Sequence, residues 1–490
     1  MNNKTLIYAV LLIMTVACPG CISQQDRSQT DAVHGQNIEN IEDIKGLWIG
    51  NMEVPGGVEL RILFNISTRP DGSVNATMDS LDQGARGIPV EKITYKDSNL
   101  SLEVKSVRGV FEGTLNESGK TIEGEWKQSG STLPLVLTHI DKTLPELRRE
   151  QDPVKPYPYA EEEVVFENKE AGIKLAGTLT LPESEGLFPA VLLISGSGPQ
   201  NRDEEIMGHR PFLVLSDYLT RQGIAVLRFD DRSVGGSTGN FSKATTEDFA
   251  GDVLSGIEYL KSRKDIDSSK IGLIGHSEGG LIAPLVAVES NDVAFIVLLA
   301  APGVTGEEII LSQGELIARA EGVDNETIAR NKAFTKEMFS VVKEEQNDTI
   351  ARKKLKKLLK SETENKSEEE KQHSNFSEAN LEPQIQGLLS PWMRFFLTYD
   401  PIPTLMKVKC PVLAINGEKD LQVPPEENLL AIENALKAGS NENYTVKELP
   451  GLNHLFQTTQ TGSPTEYSKI EETISPDALE LIGNWISEHT

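Results

Sequence analysis

Cysteine is nearly absent. The 490-residue chain holds three, at Cys18, Cys21 and Cys410. With one cysteine beyond the amino-terminal pair, no structural disulfide framework and no cysteine-built metal centre is possible in the body of the chain. Positive charge is also short. There are 48 Lys and Arg against 74 Asp and Glu, a net charge of −26. Such a balance argues against nucleic acid and against anionic membrane surfaces as partners, and its plain meaning is solubility. No H-E-x-x-H and no G-x-x-x-x-G-K-[ST] occurs, so metal-ligand and phosphate-loop signatures are missing and no cofactor is expected. The amino-terminal apolar run, Leu6 to Val16, is too short to span a bilayer.

That run, preceded by Lys4, has the form of an export signal over residues 1–21. "ACPGCIS" then resembles a lipoprotein processing site, with Cys21, or else Cys18, as the lipidated residue. The expectation is an exported, cell-surface protein that meets the membrane only through its lipid anchor. Plain secretion or an uncleaved anchor is the alternative. Ten N-x-S/T sequons, among them Asn65, Asn240 and Asn443, agree with export, or simply reflect a chain rich in Asn, Ser and Thr. Cys410 abuts an apolar segment and reads as core filler.

The length allows two or three domains. Residues 22–45 are polar and aperiodic, a tether. Over 46–140, "VELRILFNIS", "NLSLEV" and "TLPLVL" alternate apolar and polar residues between turn signals such as "RPDGS". This predicts a small antiparallel β domain, a barrel or sandwich, serving binding or packing. Residues 141–160 carry Pro145, Pro153, Pro156 and Pro158, a stiff linker. From 161 to 490 strands and helices alternate. The strands "AVLLIS", "IAVLRFD", "IGLIG", "AFIVLLA" and "PVLAING" are nearly all apolar. This predicts an α/β fold with a mostly parallel sheet covered by helices on both faces. A charged helical insertion at about 303–400 reads as a cap over the carboxyl edge of the sheet, where open α/β folds bind ligands.

"GHSEGG" sits between a predicted strand and a predicted helix. By average usage a G-x-S-x-G string occurs about 0.2 times by chance in such a chain. Its context is what a nucleophile elbow requires, with Ser277 at the tip and glycines on either side. A serine needs a base, and with seven histidines elimination is practical. His34, His139, His373 and His489 lie away from the sheet edge, and His276 on the elbow should point away from the base position. His209 precedes the elbow on an early loop. His454, in "LPGLNHLFQ" after the last strand, fits best. The acid belongs on the loop "INGEKDLQVPPEEN", where Glu418 and Asp420 both qualify and Asp420 is preferred. The oxyanion needs backbone donors: Glu278 directly after the serine, and Gly196 or Ser197 in "GSGPQNRDEE". Asp230, Asp231 and Arg232 read as braces of their loop. Trp392, Phe395 and Phe396 line an acyl pocket or pack the cap.

In order, "ISGSGPQNRDE", "LRFDDRSVGGSTG", "GHSEGG", "SPWMRFFLTYDP", "NGEKDLQVP" and "GLNHLFQ" make residues 161–490 resemble the α/β-hydrolases, and more closely the EstD-type serine esterases. The resemblance implies hydrolysis of a small carboxylic ester through an acyl-enzyme, with Ser277, Asp420 and His454 as the triad. A departure is Ser233, where relatives more often have glycine, with loop shape at stake. A peptidase or thioesterase of the same superfamily, and a non-catalytic surface binder, are the alternatives.

Overall fold

A computed structural model describes residues 37–490 apart from 55–57, 70–72, 84, 108, 129–130, 142–148, 185 and 365–377. The export signal, Cys21 and Cys18, His34 and His373 lie outside the described residues.

The amino-terminal domain is one ten-stranded sheet. Its strands are β1 (Asn37–Ile38), β2 (Gly46–Val54), β3 (Val58–Thr68), β4 (Val74–Ser80), β5 (Ala85–Pro89), β6 (Lys92–Lys96), β7 (Asn99–Val104), β8 (Gly109–Leu115), β9 (Thr121–Gln128) and β10 (Ser131–Ile140). The order is β1-β6-β7-β8-β9-β10-β2-β3-β4-β5. A single continuous sheet rules out a sandwich of two. The sheet encloses one core that includes Trp48, Phe64, Phe111 and Trp126. Alternation makes that core: in β4 every second residue is buried. The expected tether ends sooner than its composition suggests. Asn37 and Ile38 pair in parallel with Thr94 and Tyr95. Two residues of edge strand are too few to show a period.

The described end of the linker is docked rather than free. The Arg149 guanidinium is buried and donates to Glu471, the Met207 carbonyl and the Ser468 carbonyl. Gln151 bonds Thr473 and Ile474.

The second sheet has eight strands: β11 (Tyr159–Asn168), β12 (Ile173–Pro182), β13 (Phe188–Ile194), β14 (Ala225–Phe229), β15 (Ile266–His276), β16 (Phe295–Leu299), β17 (Val412–Gly417) and β18 (Tyr444–Leu449). The order is β11-β12-β14-β13-β15-β16-β17-β18. β11, β12 and β14 pair antiparallel, and every pairing from β14 across to β18 is parallel. Helices α1 (Pro211–Arg221), α2 (Thr246–Ser262) and α3 (Gly279–Glu289) connect its first half. Two separate apolar clusters, one holding Leu192 and Leu273 and the other Leu193 and Ile274, cover the two faces. This explains why the strands read as unbroken apolar runs.

After β16 come α4 (Gly306–Ala320), α5 (Asn325–Glu344), α6 (Asp348–Glu364), α7 (Glu378–Leu388) and α8 (Pro391–Thr398). These cap helices bury their own core, with Phe339, Leu355, Ile385 and Met393. The chain runs from β13 to β14 on one side and then to β15 on the other. The loops after β13 and β15 therefore diverge from neighbouring strand ends and leave a crevice between them, the usual ligand position in such sheets.

Candidate active site

The residue directly after β15 is Ser277, and its backbone is left-handed at φ 53°. A β-carbon on Gly275 would lie 2.0 Å from the Gly279 carbonyl oxygen, and one on Gly279 would lie 2.2 Å from that of Ile194. Only glycines fit this tight reversal. Ser277 N–H donates to the Leu299 carbonyl at 2.8 Å, and its own carbonyl accepts Gly280 N–H at 2.9 Å. The result is a serine partly open to solvent while its neighbours on both sides are buried. That is the geometry of an elbow.

Asp420 and His454 meet across 34 positions of sequence. Asp420, on the loop after β17, accepts from His454 Nδ1 at 2.7 Å through Oδ2. Its Oδ1 accepts the Gln422 and Val423 N–H groups at 2.8 and 2.9 Å. The carboxylate is thus fully engaged and fixed in one orientation. Glu418, the other candidate, accepts Gly451 N–H and braces the loop at the surface. The His454 loop is stitched by Asn453, whose side-chain oxygen accepts the N–H groups of Leu455 and Gln457.

The loop after β13 is brought beside the serine. A β-carbon on Gly196 would sit 3.2 Å from Ser277 Cβ. However, the Gly196 N–H donates to Glu204 Oε1 at 2.6 Å. Of the two proposed donors in this loop, Gly196 is engaged internally. The N–H groups of Ser197 and Glu278 are the ones without a bonded acceptor among the described residues.

The side chain of Glu278 is a feature that the motif did not foretell. It is buried and accepts from Thr246 Oγ1 and from Trp392 Nε1, each at 2.7 Å. Burial raises its pKa, and these donors partly offset that. Trp392 belongs to cap helix α8, so the cap is fastened to the residue after Ser277. Trp392 also stacks on Phe396 at 4.9 Å. Phe396 lies in the cap core, and Phe395 stacks on Tyr399. Trp392 alone of the three aromatic candidates bonds the elbow. In Trp392→Phe the stacking survives and the indole donor is lost. Removing a donor from a buried carboxylate costs about 1–3 kcal/mol. The variant should melt at a lower temperature; an unchanged midpoint would show that this fastening adds no stability.

The early loops are held by ion pairs. Arg202 grips Asp230 with two bonds of 3.1 and 2.9 Å, and Arg232 grips Asp252 at 2.6 and 3.0 Å. Asp231 accepts Ser195 Oγ and Gln200 N–H. Burial pushes its pKa well up, despite these bonds. Ser233 has φ 67°, in the left-handed region that favours glycine. Its hydroxyl donates to the Gly239 carbonyl at 2.9 Å and compensates.

His209 serves structure. It is wholly buried, Nε2 donates to the Tyr467 carbonyl at 2.9 Å, and Nδ1 lies 3.0 Å from Thr473 Oγ1. Nε2 must donate, so a hydroxyl proton from Thr473 on Nδ1 suits a neutral ring. Burial lowers its pKa to about 4 from the ordinary 6.5. In the unfolded chain the ring protonates near 6.5, so stability declines as pH falls from there to about 4, by about 3 kcal/mol in all. His209→Gln should flatten the denaturant midpoint across that window. An equally steep decline in the variant would assign it to other groups.

The crevice, the elbow and the Asp420–His454 pair define an α/β-hydrolase, and the protein is a serine hydrolase. More narrowly, the chain belongs to the X-Pro dipeptidyl-peptidase (S15) family, which it matches over residues 171–446. The resemblance read from its six motifs also holds. Esterase EstD of Thermotoga maritima is 24% identical over 326 residues, covering 66% of this chain and 68% of that protein. An uncharacterized 31.7 kDa protein of Escherichia coli is 27% identical over 277 residues, covering 55% of this chain and 85% of that one. Among solved structures, the alpha/beta hydrolase GrgF from Penicillium is similar with a TM-score of 0.42 at 16% identity, covering 68% of this chain and 99% of that one. The Pyrococcus furiosus esterase Pf2001 is similar with a TM-score of 0.38 at 16% identity, covering 68% and 93%.

Proposed function

We propose that this protein hydrolyses small carboxylic esters through an acyl-enzyme, with Ser277 as nucleophile, His454 as general base and Asp420 as its orienting acid. His454 Nε2 takes the Ser277 proton as Oγ attacks the ester carbonyl. The same proton then goes to the leaving alcohol. Water, deprotonated by His454, releases the acid. The N–H groups of Glu278 and Ser197 hold the oxyanion in both steps. The observation that carries this reading is the 2.7 Å bond from His454 to a fully engaged, buried Asp420. It leaves Nε2 as the free basic nitrogen.

A second reading is peptide hydrolysis, favoured by the family match. A dipeptidyl-peptidase must recognise a free amino terminus, for which a carboxylate is the natural partner. Near the elbow, Glu278 and Asp231 each already accept from donors of this protein, and the unpartnered Oε2 of Glu204 is buried. This supports the ester reading. The test is a panel of p-nitrophenyl esters of rising chain length beside a thioester and an X-Pro-p-nitroanilide, with fluorophosphonate labelling of Ser277. Ester turnover far above anilide turnover is expected. Preferred anilide cleavage would install the peptidase reading, and absence of labelling would make the protein a binder.

We further place the protein outside the cytoplasm, held by lipid on Cys21, on the strength of Lys4, the Leu6–Val16 run and "ACPGCIS". Cys21→Ser should move it from the membrane fraction to the soluble one. Retention in the membrane would count against Cys21.

A further inference from the structure

His276 stands next to the nucleophile and takes no part in the proposed reaction. Its ring is buried, and both nitrogens are bonded. Nε2 lies 3.0 Å from the backbone oxygen of His454. A carbonyl oxygen only accepts, so Nε2 carries a proton. Nδ1 lies 2.9 Å from Glu204 Oε1, the same oxygen that accepts the Gly196 N–H at 2.6 Å. A neutral Glu204 would find no acceptor for a proton on Oε2, which has no partner among the described residues, and could meet Nδ1 only by donating from Oε1, the oxygen that already accepts the Gly196 N–H. A carboxylate facing a doubly protonated ring satisfies both bonds. His209 makes the contrast: its Nδ1 meets a hydroxyl, and that ring suits the neutral state.

Three loops converge on this pair. Glu204 is on the loop after β13, His276 ends β15, and the bonded carbonyl is that of the base itself. We propose that Glu204 and His276 form a charged positioning pair, which fixes the oxyanion loop and the His454 loop relative to Ser277. The proposal rests on the serine-hydrolase reading.

The groups facing His276 are Glu204, His454 and, farther off, Asp420. Burial by itself would lower the ring's pKa. The charge and bond of Glu204, with the His454 carbonyl and Asp420, outweigh it and hold the pKa above the ordinary histidine value. The sign follows. As pH rises through that raised pKa, one of the two ring protons leaves. Either the Glu204 or the His454 tether is then lost, and turnover declines.

Three measurements test this. Long-range proton–nitrogen NMR of the intact protein at pH 7 should show both His276 nitrogens protonated and His209 protonated on one. Glu204→Gln and His276→Gln should each lower kcat for p-nitrophenyl esters by about 10- to 100-fold, the range of a misplacement near 1 Å. KM should stay within about twofold. The alkaline limb of kcat should move to lower pH in Glu204→Gln and vanish in His276→Gln, and the double variant should be no worse than the poorer single one. A neutral His276 in the NMR spectrum overturns the proposal even if a variant fails to fold. So do folded variants with wild-type kcat and an unmoved limb. Failure of wild-type Ser277 to label with fluorophosphonate sinks the hydrolase reading instead, while the NMR result still decides the charge of the pair.

Discussion

Ser277→Ala is expected to lower kcat on p-nitrophenyl esters by about 10⁵- to 10⁶-fold and to abolish fluorophosphonate labelling. The fold should remain. Alanine keeps the β-carbon that the left-handed backbone at φ 53° already tolerates, and Ser277 is anchored through its main chain to Leu299 and Gly280. What disappears is the hydroxyl alone. A residual rate above that of water would come from binding and from the oxyanion donors. Thermal melts should therefore superimpose while the kinetics collapse. If the variant retained wild-type turnover, Ser277 would not be the nucleophile.

Asp420→Asn is expected to cost about 10⁴-fold in kcat with little change in KM. Asparagine is nearly the same shape, and its side-chain oxygen can keep the N–H groups of Gln422 and Val423. Those two bonds fix which end of the amide points where. The NH₂ then faces His454 Nδ1, where the carboxylate oxygen stood at 2.7 Å. An NH₂ donates, so Nδ1 becomes the acceptor and the ring proton moves to Nε2, the atom that must receive the Ser277 proton. The base is still present, in the wrong tautomer. Steady-state kinetics with a melting curve check this: a small loss in kcat with an intact fold would deny Asp420 its orienting role.

How legible the protein was depended on the range of each interaction. Nearly every element of the second sheet could be drawn from the sequence. A strand buried on both faces is an apolar run, and a helix has its own period. The expected strand "AFIVLLA" is observed at Phe295–Leu299. The β1 edge strand escaped, since two residues pairing with a strand more than fifty positions away leave no local pattern. Ser277, Asp420 and His454 were legible as candidates because chemistry constrains their residue types and chain order, and the structure joins the last two. Gly196 was misjudged as an open donor, because Glu204, eight positions on, had no visible reason to turn back onto it.

The sequence by itself determined the β domain ahead of the α/β-hydrolase fold and its mostly parallel sheet, and it named the serine, acid and histidine that are proposed to act together. Each of these follows from residue type, spacing or order along the chain. Tertiary structure alone decided the support around them. The Glu204–His276 bond joins residues 72 apart, and the Trp392–Glu278 bond joins residues 114 apart. Neither pair has a characteristic spacing. They meet because β13 and β15 are neighbours at the point where the strand order reverses, and because the cap folds back over that point. Whether an imidazole there is charged or neutral depends on the acceptors around it, and these come from three different loops.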